Sequence, residues 1–170
     1  MGTELAYLPS SQEHVWIIVT RCRTMVRRRA LASAGAALVP IPALDIATDI
    51  GMVVQLITRI NEEFGLTPRQ IEQLQPQTKA RLYQAMMGFG GAMVGKVVTA
   101  DLVWRVLRAI GTGVTLKQTS RYVPIAGQAL SAAISYGAMT YVGERHIRDC
   151  MALLARVIEP EQWLQAEPVN

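Results

Sequence analysis

The sequence predicts an all-α protein, a single helical bundle of about five or six helices with proline-initiated apolar hairpins. Three observations predict it. First, two apolar helices open on nearly the same segment, Val39-Pro40-Ile41-Pro42-Ala43-Leu44-Asp45 and Tyr122-Val123-Pro124-Ile125-Ala126-Gly127-Gln128. Proline in a first helical turn gives up an N–H that would be unpaired there anyway, so both segments read as helix starts. Second, small residues recur at every fourth position behind each start: Ala43, Ala47 and Gly51, then Gly127, Ser131 and Ser135 beside Ala129, Ala133 and Gly137. Such stripes allow backbones to approach closely. Third, two hydroxyl-to-carboxyl or amide boxes, Ser10 to Glu13 and Thr67 to Gln70, mark further helix N-termini.

Residues 1–9 read as an N-terminal extension, 10–158 as the helical domain and 159–170 as a C-terminal tail. The first helix starts at Ser10 and reaches about Leu38, with Val15, Ile18, Val19, Cys22, Met25 and Val26 as its apolar stripe. Pro40 and Pro42 then force a break, since each removes a donor and restricts the residue before it. The second helix runs from Pro42 to Phe64, and Gly65 is its natural stop. Thr67 caps a short third helix that must end before Pro76, where a fourth begins and carries Leu82, Met86 and Phe89. Gly88, Gly90, Gly91 and Gly95 each cost about 1 kcal/mol relative to Ala in a helix. They require close packing, or a break before a fifth helix from about Val97 to Ile110. A loop from Gly111 leads to the last helix, Pro124 to about Val157.

The chain's 170 residues suit one domain with a real core. Only 18% are charged and 51% are hydrophobic, against roughly 25% charged in ordinary soluble domains, and the mean hydropathy is +0.22. A surface that faces a membrane or a partner follows. The net charge of +4 is too modest to indicate nucleic-acid binding. Tyr122 to Gly143 carries no charge and is long enough to cross a bilayer. Pro124, Gln128, Ser131, Ser135 and three tyrosines weaken that signal, and Asp45, Asp49, Lys96 and Asp101 interrupt the other apolar segments. The segment is therefore read as a core helix, with membrane insertion as the alternative. The charged cluster follows Trp16-Ile17-Ile18-Val19 rather than preceding an apolar region, so no leader peptide is expected.

That cluster is the main candidate contact surface: Arg21, Arg23, Arg27, Arg28 and Arg29, directly before an apolar run from Ala30 to Leu44. Basic residues beside an apolar segment hold to an anionic leaflet, at about 1 kcal/mol for each near the surface. The competing readings are a solvated helix face, or pairing with Asp45, Asp49, Glu62 and Glu63. No aromatic residues interleave with the arginines as a base-stacking platform requires, which argues against nucleic acid.

Nothing in the chain reads as a reaction centre. Gly90 to Lys96 fits the G-x-x-x-x-G-K part of a phosphate loop, but Val97 replaces the magnesium-binding hydroxyl and Tyr83 to Met87 reads as helix where a strand is required. Cys22, Cys150, His14 and His146 lack metal-site spacing, and the two thiols are expected to be reduced. Asp45 and Asp49 lie one turn apart and could share a metal or a proton, but the dipole at a helix N-terminus explains them more simply. Glu144, Arg145, His146, Arg148 and Asp149 read as a solvated face. No Ser, His and Asp arrangement supports a nucleophile. No catalytic residue, cofactor or metal is expected.

Leu38-Val39-Pro40-Ile41-Pro42 with Leu44-Asp45 and Phe64-Gly65, followed by Val123-Pro124-Ile125-Ala126-Gly127-Gln128 with Ser135, Tyr136, Thr140 and Gly143, resembles the paired signatures of the YcjF-like bacterial helical family of unknown function. The likeness spans about Arg27 to Ile147, and Ala43 stands where that pattern usually has glycine. Members of the family typically follow, or are encoded near, a GTPase domain, and many associate with the inner membrane. The resemblance thus implies an accessory module at the cytoplasmic face of the bacterial inner membrane, with any GTPase acting in trans, and Pro40, Pro42, Asp45, Pro124, Gly127, Gln128, Ser135 and Gly143 as its signature positions. The expected function is a non-enzymatic helical adaptor that binds an anionic membrane surface or an acidic protein partner and self-associates through its small-residue faces. The alternative is a membrane-permeabilising toxin or effector, soluble in the cytoplasm or secreted.

Overall fold

The structure is a computed structural model that describes residues 8–9, 11–36, 44–87, 94–95, 98–109 and 126–158. The fold is all-α. Its helices are α1 (Gln12–Ala36), α2 (Leu44–Glu63), α3 (Pro68–Glu72), α4 (Pro76–Met87), α5 (Ala100–Ala109) and α6 (Ala126–Val157), and no strand occurs among the described residues.

Local chemistry sets the helix ends. Ser11 caps α1, its Oγ accepting the N–H of His14 at 3.2 Å. The cap thus falls one residue later than the expected Ser10, which lies outside the described residues, and Glu13 stands too early to close a reciprocal box. α2 and α6 begin at Leu44 and Ala126, each two residues beyond a signature proline. Pro40, Pro42 and Pro124 themselves lie outside the described residues.

α2 stops as expected. Gly65 adopts φ 71°, its N–H donates to the Glu62 carbonyl at 3.1 Å, and the Leu66 N–H donates to the Asn61 carbonyl at 2.8 Å. This pair of bonds is a Schellman closure, which needs a left-handed residue that glycine supplies without a Cβ penalty. The Gln70 amide adds a 3.0 Å bond to the Glu62 carbonyl. Gln70 also completes the capping box at Thr67: its backbone N–H donates to the Thr67 hydroxyl while its side chain accepts from the Thr67 N–H. Both elements of that box were legible from four residues of sequence.

Of the glycine-rich stretch after α4, Val94 and Gly95 are described, while Gly88 to Met93 lie outside the described residues. α4 ends at Met87, and Val94 and Gly95 form a turn, with Gly95 at φ 69°. A Cβ on Gly95 would collide with the Met86 side chain, so this glycine serves a turn against α4. The remainder of the phosphate-loop-like stretch, Gly90 to Met93 with Lys96 and Val97, lies outside the described residues.

The chain divides into two compact units. The first takes α1 up to Cys22, α2 from Thr58, α3, α4 and α6 from Arg145. Its interior holds Val15, Ile18, Val19, Ile60, Phe64, Leu66, Ile71, Leu82, Ile147, Leu153 and Leu154, all buried. The second takes α1 from Arg23, α2 up to Ile57, α5 and α6 up to Glu144, around Val26, Ala30, Val53, Leu56, Val103, Met139 and Val142.

Close backbone approach occurs in the second unit at Gly143, which continues the four-residue spacing of Gly127, Ser131 and the buried Ser135. A Cβ on Gly143 would sit 2.6 Å from Val26 Cγ2 and 3.3 Å from Leu56 Cδ2, so α6 can pack on α1 and α2 only because this residue has no side chain. Gly51 and Gly137, read as contact positions, have nothing within 4 Å of where a Cβ would stand among the described residues. Ala129, Ala133 and Gly137 are exposed. The spacing found the faces of the helix but not which face turns inward.

Candidate functional site

α1 rotates by about 100° per residue, so the five arginines do not share one face. Arg21 donates to Glu63 of α2 at 3.1 Å within the first unit. In the second unit Arg23 donates to Glu144 of α6 at 3.3 Å, and Arg29 to the Gln55 side chain of α2 at 3.0 Å. These three guanidiniums flank the buried stripe and are held by neighbouring helices. Glu63 was foreseen as an acidic partner of the cluster. The expected contact surface contracts to Arg27 and Arg28, both exposed and without an ion-pair partner among the described residues. Leu31, 64% exposed, lies one turn beyond them on the same outward side. Asp45 and Asp49 lie on α2, with side chains outside those described, and the same holds for Gly127 and Gln128 on α6.

A second cluster lies inside the first unit and corrects the reading of His146. The sequence places this residue on a solvated face, yet it is 1% exposed. Its Nε2 lies 2.8 Å from Asn61 Oδ1. The Cys150 thiol points at the same oxygen from 3.8 Å and stands 3.7 Å from Nε2. With the amide oxygen as acceptor, the neutral ring carries its proton on Nε2. Arg145 and Asp149 do lie on the outer side, paired at 3.1 Å, and Arg148 is exposed. The charge pattern around His146 concealed an inward position at the one residue of the group able to be neutral.

Burial controls the chemistry of this cluster. It pushes the His146 imidazole down to about 4. It pushes the Cys22 thiol up to about 12, with Glu63 adding to the shift and Arg21 opposing it. Cys150 is driven well above its ordinary value by burial, then by Cys22 and Asp149. The thiols are therefore neutral at pH 7 and are not poised as nucleophiles. No group of three or more His, Cys, Asp or Glu among the described residues is arranged to hold a metal ion.

Asn61 is the residue that sequence reasoning missed. A signal existed: Asn61 interrupts the apolar series Val53, Leu56, Ile57, Ile60 and Phe64 on the inward side of α2. An amide at such a position must find a buried partner.

The outer side of α6 in the second unit presents Leu130, Tyr136 and Tyr141, each more than a third exposed, while Ser135, Met139, Val142 and Gly143 face inward. This segment is thus half-buried rather than fully enclosed. Among the described residues no helix is long and apolar enough to cross a membrane. Comparison with known proteins finds no matching family model, no matching curated protein and no matching solved structure.

Proposed function

We propose that this protein is a non-enzymatic helical adaptor that docks on an anionic membrane surface through the outward side of α1. The observation that carries this reading is the pair Arg27 and Arg28, exposed, without a carboxylate partner among the described residues, and followed one turn later by the exposed Leu31. Guanidiniums on flexible stems reach phosphate oxygens while an apolar neighbour enters the headgroup region, a combination suited to peripheral contact. The resemblance to the YcjF-like family supports placement at the cytoplasmic face of a bacterial inner membrane and a GTPase as partner in trans.

Co-sedimentation with anionic and neutral vesicles tests the reading, with dye release recorded in parallel. The chain is expected to bind anionic vesicles without leakage, and the Arg27→Glu, Arg28→Glu variant to bind more than tenfold more weakly, since each lost contact is worth about 1 kcal/mol. Equal binding by the variant would overturn the assignment of these residues. Absence of binding to anionic vesicles would overturn membrane docking altogether, and dye release would favour the permeabilising alternative.

A further inference from the structure

His146 joins α6 to the last turn of α2 through a single 2.8 Å bond to Asn61 in a nearly dry interior. Asn61 is also the residue whose backbone carbonyl closes the α2 terminus by accepting from Leu66. One residue thus holds both the helix stop and the imidazole. A protonated imidazole could still donate from Nε2, but it would bring a full charge, and a second N–H needing an acceptor, into this interior.

The surroundings offer that charge no compensation. On α6 the neighbouring titratable group is the Cys150 thiol, and on α1 it is the Cys22 thiol, both kept neutral by burial. On α2 the facing group is the Asn61 amide, which does not ionise. The carboxylates of these elements are engaged elsewhere: Glu63 with Arg21, Glu62 with Arg59, and Asp149 with Arg145. α3 and α4 contribute Ile71 and Leu82 to the same interior. Burial is accordingly the cause of the depressed His146 pKa, with no charged neighbour contributing.

We propose that His146 is an acid-sensitive latch: proton uptake by its buried imidazole releases α6 from the end of α2 and opens the first unit. The imidazole titrates at about 4 in the folded chain against 6.5 ordinarily. Between those values the unfolded chain binds more protons than the folded one, so stability falls as pH falls from 6.5 towards 4. Complete protonation corresponds to a roughly 300-fold shift in the opening equilibrium, about half of which is reached at pH 4. Cys22 and Cys150 report opening, because both are buried only while the unit is closed.

The test is the denaturant stability of the full chain from pH 7.5 to 4, with thiol access to 4,4′-dithiodipyridine measured in parallel. The wild type is expected to lose stability through this interval and to expose both thiols. His146→Gln, which can still donate to Asn61 but does not titrate, is expected to lose much less. Asn61→Asp, which sets a carboxylate against Nε2, should reverse the slope between pH 7.5 and 6; it decides the matter should the glutamine variant fail to fold. A wild-type profile flat from pH 6.5 to 4.5, an unchanged slope in His146→Gln, or an NMR titration of His146 near 6.5 in the still-folded chain would overturn the latch.

Discussion

Gly143 of α6 meets Val26 of α1 so closely that a methyl group placed on the glycine would lie 2.6 Å from one valine methyl and 2.9 Å from the other. Helix backbones this near leave no room for even the smallest side chain. Gly143→Ala is therefore expected to destabilise the chain by about 1–3 kcal/mol, the usual cost of overpacking a core. Combining it with Val26→Ala should recover part of that loss, so the double variant melts higher in denaturant than the sum of the two single changes requires. Strict additivity would show that the contact is not what excludes the methyl group.

Asn61 supplies the acceptor for both the His146 ring and the Cys150 thiol. Asn61→Ala removes it while leaving those buried donors in place. The expected cost is about 1–3 kcal/mol from the orphaned groups, together with a cavity term. Equilibrium denaturation measures the sum. A loss under 0.5 kcal/mol, the range of ordinary surface substitutions, would show that the donors find another partner.

Gly65 holds φ 71° at the end of α2. Gly65→Ala forces an L side chain into that region at about 1–2 kcal/mol. Gly65→Asn should cost less, because asparagine tolerates the left-handed conformation. The order Gly above Asn above Ala in melting temperature is the expected outcome.

Arg23 and Glu144 form a partly buried pair that solvent still reaches, with side chains 43% and 26% accessible. A double-mutant cycle is expected to return less than about 1 kcal/mol of coupling, because solvent screens such pairs. Their role is to hold Arg23 against α6 rather than to supply stability. A larger coupling would mark the pair as part of the packed interface.

Neither Cys22 nor Cys150 should react with a thiol reagent at pH 8 in the folded chain, since burial raises both thiols and blocks access. Both should react in denaturant. Labelling of Cys150 under native conditions would contradict the enclosed geometry of the His146 cluster.

The sequence by itself determined the helices, the α2 stop at Gly65 and the capping box at Thr67 and Gln70, because each rests on residues within a few positions of one another. Hydrogen bonds of that range depend on local spacing, which the chain displays directly. The contact of Gly143 with Val26, by contrast, joins helices far apart in the chain and was not legible there. Only the tertiary structure decided which sides of α1 and α6 turn inward. The arginine cluster was legible as a cluster, yet the capture of Arg21 by Glu63 and of Arg23 by Glu144 depends on helices that lie far apart in the chain. His146 makes the same point most clearly: its sequence neighbours Arg145 and Arg148 face solvent, while its partner Asn61 stands 85 residues away. A helix turns successive residues to different sides, and the side that loses its water is chosen by the packing of whole elements, where burial of apolar surface outweighs the local charge pattern.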